Sequence, residues 1–251
     1  QNILSLDESV WNDELSIEED KKSGTDGAMK GSVIHDILAR VHSSSPDKIS
    51  EKTFNVIEKE LFRAEKIYNI SSSELRKYTD NYIIIENELK KRRNGKYLKS
   101  LYEYKFLVPL EGNLMLSGVA DRVDFYEHNG KVEVFLIEYK TDRIINDEKL
   151  REKTAYYKKQ IYAYIYGLEK IPFIEGVKTE INTSLIYFLH RGEPVEIQKD
   201  CREIEELKRE MVNSSEMMLG KKGFEAYMAG DCKACSWCDY RSLCEKSGGK
   251  S

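Results

Sequence analysis

The chain lacks a basic surplus, an apolar run long enough to cross a bilayer, and a secretory leader pattern. A membrane-spanning helix needs roughly 20 consecutive apolar residues, and no segment approaches that, so no membrane partner is expected. Lys and Arg number 40 against 44 Asp and Glu, a net charge of −4. That balance excludes a broad electrostatic grip on nucleic acid. It leaves room for a local basic groove, for which Lys90-Lys91-Arg92-Arg93 and Lys158-Lys159 are candidates, although a solvated helix end explains either run equally well. No Ser-His-Asp or Cys-His arrangement points to a covalent nucleophile. The terminal Gly248-Gly249-Lys250-Ser251 lacks the glycine four residues ahead and any following helix that a phosphate loop requires. With no ATP-binding motif, the chain carries no motor of its own.

Five cysteines, an odd number, and the missing leader argue against a disulfide framework and for a cytoplasmic setting. Four of the five, Cys232, Cys235, Cys238 and Cys244, fall in the short run DCKACSWCDYRSLC, a density that rarely arises by chance. The chain opens on Gln1 rather than methionine, so a C-terminal portion of a larger protein is the expectation. At this length one α/β core can be buried without splitting.

Residues 1–30 are acidic and weakly patterned, with Ser23-Gly24 and Asp26-Gly27 as breakers. They read as a peripheral lead-in with one short helix around Trp11. A helix follows from Gly31 to Val41, its apolar stripe formed by Val33, Ile34, Ile37, Leu38 and Val41 with His35 beside it. Helices over Glu51–Tyr68 and Ser73–Arg93 are expected to cap one end of a sheet and frame a substrate channel. A tyrosine-rich helix spans Arg151–Leu168, with Tyr156, Gln160 and Tyr164 at i, i+4 spacing. Thr183–Ile197 reads as a hairpin across Arg191-Gly192, and a last helix runs from Asp200 to Leu219. No internal repeat is visible.

The most informative segment is Leu116–Thr141, LSGVADRVDFYEHNGKVEVFLIEYKT. Two apolar runs alternate with period two, as strands do. In the second, Val132, Val134, Leu136, Glu138 and Lys140 share a face; in the first, Val119, Asp121 and Val123 share one while Arg122 and Asp124 take the other. His128-Asn129-Gly130 supplies turn residues, so a hairpin brings Asp121 close to Glu138. Two adjacent carboxylates stay ionised only with a cation or proton between them, and Mg2+ favours such oxygen ligands. A surface ion pair between Glu138 and Lys140 on an edge strand is the plainer alternative, but VEVFLIE is too apolar for an edge.

These residues resemble the PD-(D/E)XK nucleases, and within them the RecB-like branch of helicase-associated nuclease domains and CRISPR-adaptation exonucleases. The resemblance runs from about Gly31 to Cys244 through GSVIHDIL, YEYKF, GVADRVD, IEYKT and QIYAY, in that order. It implies a restriction-endonuclease-like α/β fold: a mixed central sheet flanked by helices, with a helical cap and a small C-terminal cysteine-rich appendage. The corresponding domain is residues 31–230, with a helical insertion at about 51–95, followed by a cysteine-rich segment and tail at 231–251. It further implies Mg2+ or Mn2+ held by His35, Asp121, Glu138 and the Tyr139 backbone carbonyl. Lys140 is then the catalytic lysine, aided by Glu103 and Gln160, with Gln160 and Tyr164 contacting substrate. The implied activity is metal-dependent hydrolysis of DNA, as an exonuclease on single strands or ends, in repair or recombination. A helicase subunit or a missing N-terminal helicase-like region would be the partner.

The iron-sulfur members of that branch use C-x2-C-x5-C, here Cys235, Cys238 and Cys244, plus an upstream cysteine; in this chain none precedes Cys201. Three outcomes stay open: a 4Fe-4S cluster completed by Cys232 or Cys201, a structural Zn2+, or metal-free thiols. An inactive DNA-binding or scaffolding module is the alternative to an enzyme; the intact acid, acid-x-lysine and histidine set favours the enzyme.

Overall fold

The computed structural model describes residues 2–5, 24–44, 49–93 and 95–219. Six strands form one mixed sheet: β1 (Asn2–Ser5), β2 (Lys96–Pro109), β3 (Leu114–His128), β4 (Lys131–Lys140), β5 (Ile181–Phe188) and β6 (Glu193–Glu196). Five helices accompany them: α1 (Gly24–Ser44), α2 (Glu51–Tyr68), α3 (Ser72–Arg92), α4 (Asp147–Leu168) and α5 (Cys201–Leu219). The strand path is β1-β3-β4-β5-β6, with β2 paired to β3. The expected α/β architecture, a mixed sheet flanked by helices, is the observed one. The short helix read around Trp11 and the whole cysteine run lie outside the described residues. Among the described residues, no helix is long and apolar enough to cross a membrane.

The hairpin reading holds in detail. β3 and β4 pair antiparallel from Arg122↔Ile137 to His128↔Lys131, closed by Asn129 at φ 52° and Gly130 at φ 75°. Two successive positive φ values are what a tight hairpin turn of matching twist requires. β4 is central, parallel to β5 on its other side, and a parallel pair needs a long crossover, which α4 supplies. Between the last β1 contact at Ser117 and the first β4 contact at Arg122, β3 leaves a fork in the sheet. α4 fills this fork closely: a β-carbon on Gly118 would fall 2.6 Å from Phe106 Cζ and 2.9 Å from Tyr164 Cε1.

Each face of the sheet has its own core. Val123, Phe125, Val134 and Leu136 pack with Tyr157, Ile161 and Leu168 of α4 and Ile204 and Leu207 of α5. Tyr126, Phe135, Ile137 and Tyr139 pack with Ile34 and Leu38 of α1, Leu61 of α2 and Leu75 and Tyr82 of α3. The helices α2 and α3 thus share one core with α1 and that face of the sheet. Local chemistry fits their bounds: at the start of α2 the Ser50 backbone N–H donates to Thr53 Oγ1 at 2.9 Å, and Asn69 ends it in the left-handed region. α1 begins at Gly24, because the two glycines read as breakers are tolerated inside it. α4 begins at Asp147, where Asn146 Oδ1 accepts from the Lys149 N–H at 2.8 Å, a cap ahead of the first apolar residue.

The α1–α3 layer is also joined to the sheet by buried charge. Arg122, 0% exposed, donates to Asp124 Oδ1 at 2.8 Å and to Glu86 Oε1 at 2.8 Å. Arg93 donates to Glu86 Oε2 at 3.2 Å, and the Tyr187 hydroxyl donates to Glu86 Oε1 at 2.8 Å. Arg93, the last residue of the KKRR run, is therefore a core ion and not part of a DNA-facing patch. The Lys158-Lys159 pair is likewise engaged, bridging α4 to α5 through Glu203 and Glu210 at 2.7 Å each. Despite the desolvation that opposes it, the pairing with Arg122 and Arg93 holds the Glu86 carboxyl far below the usual range.

His42 completes this network, with Nδ1 2.7 Å from the Tyr82 hydroxyl. Burial, then the Arg122 charge, lowers its pKa from 6.5 to about 3. The unfolded chain takes up this proton below about pH 6.5 while the folded chain resists it until about 3, so stability falls as pH drops through that window. The Glu86 and Asp124 carboxylates, also held low, add to the loss below their unfolded values. Thermal melts should therefore show a midpoint falling steadily below pH 6.5, and His42→Gln should flatten the part above about pH 5. A wild-type midpoint constant down to that pH would contradict the assignment.

Candidate active site

Asp121 sits in the fork, one residue beyond the β3–β4 ladder and 4% exposed. The splayed strands free the Tyr139 backbone N–H to donate to Asp121 Oδ2 at 2.6 Å. His35, from the middle of α1, places Nδ1 3.1 Å from Asp121 Oδ1. Burial pushes the Asp121 carboxyl up, but His35, Lys140 and the Tyr139 N–H together hold it below the ordinary value. It is thus a buried carboxylate kept ionised by what surrounds it.

Glu103 reaches the same point from β2. The flanking pairs Tyr102↔Arg122 and Tyr104↔Ala120 set it across from Asp121. Its backbone φ is +45°, a left-handed conformation inside a strand that costs about 1–2 kcal/mol for a residue with a side chain. Glu103 Oε1 lies 3.9 Å from His35 Nδ1. His35, Glu103 and Asp121 each offer a ligand atom within 4.8 Å of the others. Two carboxylates and one imidazole form a mostly oxygen donor set that suits a hard divalent cation.

Glu138 and Lys140 are buried at the end of β4, so the edge-strand ion pair does not describe them. Lys140 Nζ is 3.3 Å from Glu138 Oε1. Gln160 Nε2 donates to the same oxygen at 3.0 Å and lies 2.9 Å from the Tyr164 hydroxyl oxygen. Burial, then the charge of Glu138, raises the Tyr164 pKa well above its ordinary value, so the phenol stays neutral. Glu138 stands outside the three-residue group around Asp121, linked to it through Lys140, whose charge bears on Asp121. The side chain of Tyr139 packs edge-on to His35, centroids 5.9 Å apart. Cys201 opens α5, exposed with a free thiol.

The structure thus gathers His35, Glu103 and Asp121 into one group and Glu138, Lys140, Gln160 and Tyr164 into a second. Three further residues at the site escaped the sequence reading. The Tyr157 hydroxyl donates to Asp142 Oδ2 at 2.8 Å, Lys153 Nζ lies 2.5 Å from Asp142 Oδ1, and Lys140 Nζ stands 4.4 Å from the centre of the Tyr157 ring. The one available signal was Lys153, a charged residue one turn before Tyr157 on the apolar stripe of α4.

A buried acid, an acid-x-lysine at the end of the neighbouring strand, and a histidine from a packed helix make up the candidate site. The family model of the PD-(D/E)XK nuclease superfamily matches residues 11–245, and the chain belongs to that superfamily. No curated protein matches it. Among solved structures, one described as "Crystal structure of SSO0001" is similar over 89% of this chain and 98% of its own, at 14% identity and a TM-score of 0.34.

Because Glu103 combines a strained backbone with a carboxylate crowded against Asp121, Glu103→Gly should raise the thermal midpoint by about 2–4 °C in EDTA. The same variant should bind Mn2+ more weakly in calorimetric titration. An unchanged Mn2+ affinity would remove Glu103 from the metal set.

Proposed function

We propose that the chain is a Mg2+- or Mn2+-dependent deoxyribonuclease of the RecB-like type, an exonuclease acting on single-stranded DNA or DNA ends, serving a repair or recombination helicase-nuclease. The observation that carries the reading is the convergence of His35, Glu103 and Asp121 on one point, with Lys140 beside them. On this reading His35, Asp121 and Glu103 hold the cation, with Glu138 and the Tyr139 carbonyl completing the set. When bound, the ion supplies Lewis-acid polarisation of the scissile phosphate and makes water acidic enough to attack it.

The chain's own groups do the rest. Lys140, itself buried, offsets negative charge building on the phosphoryl oxygens. Gln160 fixes the Glu138 carboxylate through its 3.0 Å bond, and Tyr164 positions that amide. No covalent intermediate is formed. Residues 31–230 constitute the nuclease domain in this reading, and 231–251 its cysteine-rich appendage, as a 4Fe-4S site that visible absorption and iron and zinc analysis distinguish from Zn2+ or metal-free thiols. DNA is the substrate, and a helicase subunit or region supplies translocation in the cytoplasm.

Asp121→Asn and Lys140→Ala should each reduce Mg2+-dependent degradation of single-stranded DNA by at least about 100-fold, with circular dichroism unchanged. Degradation by the wild type that survives both substitutions would contradict the assignment. DNA binding without cleavage by the wild type, in Mg2+ and in Mn2+, would favour the non-catalytic scaffold instead.

A further inference from the structure

We infer that Tyr157 is a positioning residue for Lys140, and that Asp142 and Lys153 lock its ring in place. The functional part of this inference rests on the nuclease reading above.

Lys140 is buried, and a buried ammonium needs compensation. Its contact with Glu138, at 3.3 Å, is longer than the 2.7–2.9 Å typical of a charge-assisted bond. The aromatic face of Tyr157, 4.4 Å from Nζ to ring centre, lies within the range where a ring quadrupole attracts a cation. A π face draws the ammonium without a strong acceptor for its N–H groups. A lysine on a flexible four-carbon stem otherwise has several rotamers to explore, and tighter pairing with Glu138 would spend its charge on that carboxylate instead of on the substrate phosphate.

The ring itself is held from three sides. Its hydroxyl donates to Asp142 at 2.8 Å, Tyr156 packs edge-on with centroids 5.1 Å apart, and the Lys153 ammonium stands 5.8 Å from its centre. Asp142 follows Lys140 by two positions on the loop leaving β4, so an uncompensated Asp142 would compete for the same ammonium. Lys153, 5% exposed and paired to Asp142 at 2.5 Å, removes that competition. Strand end, loop and α4 thus close a ring of contacts around one catalytic side chain.

The test compares Tyr157→Phe, which keeps the aromatic face, with Tyr157→Leu, which does not. The Lys140 ε-methylene resonance, identified by its loss in Lys140→Arg, should show an upfield ring-current shift in the wild type and Tyr157→Phe and lose it in Tyr157→Leu. In single-stranded DNA degradation, Tyr157→Leu should lower kcat by about tenfold or more with KM unchanged, while Tyr157→Phe stays within a few-fold of wild type. Lys153→Met should also lower kcat, and adding Asp142→Asn should restore it in part. A wild-type resonance without the shift, or equal kcat for the Phe and Leu variants, would overturn the inference. A shifted resonance in a protein that degrades no DNA leaves the contact standing and sinks the nuclease reading alone.

Discussion

Keeping Asp121 ionised while buried is the constraint around which the rest of the site is arranged. Removing a carboxylate from water is costly unless fixed dipoles and opposite charges replace the solvent. Three groups supply the replacement: a backbone N–H from β4, an imidazole from α1 and an ammonium from the end of β4. The first is available because β3 and β4 separate at Arg122. A ladder continued by two residues, to Ala120 opposite Tyr139, would have used the Tyr139 N–H for ordinary strand pairing. Glu103 joins from β2, on the other edge of β3, with a strained backbone.

β3 carries charge on both of its faces, and the two sets do different work. Asp121 meets His35, Lys140 and the Tyr139 N–H. Toward α1–α3, Arg122 and Asp124 are saturated by Glu86, Arg93 and Ser100. Truncating one member of such a buried network costs about 3–5 kcal/mol, because the partner is left uncompensated. This network anchors the helical layer that carries His35, so the geometry of the candidate ligands on one face depends on ion pairing on the other. Tyr139 links them directly: its backbone holds Asp121 while its hydroxyl lies 3.4 Å from Arg122 Nη1.

Local signals in the chain made much of this legible. Period-two alternation assigned Asp121 and Glu138 to one face and Arg122 and Asp124 to the other, and Asn129-Gly130 announced the turn that sets their register. Helical periodicity located α2 and α3 within a residue or so. Contacts between distant segments were not legible. Nothing in KKRR marks Arg93 as a core ion, since its partner Glu86 also reads as an ordinary polar position of α3. The left-handed Glu103 gives no sign in YEYKF, because strand propensity alone predicts a regular extended residue. The Asp142–Tyr157–Lys153 contacts join a loop to a helix whose relative placement only the packed sheet defines. The early start of α1 escaped because glycine costs a helix about 1 kcal/mol, which tertiary packing readily offsets.

The account stands or falls on a cation in the fork of the sheet. Crystals soaked in Mn2+ and measured at its absorption edge test this most directly. An anomalous peak within coordination distance of His35, Glu103 and Asp121, absent in Asp121→Asn crystals, is the expected result. Mn2+ bound elsewhere, or a peak unchanged in the variant, would contradict it.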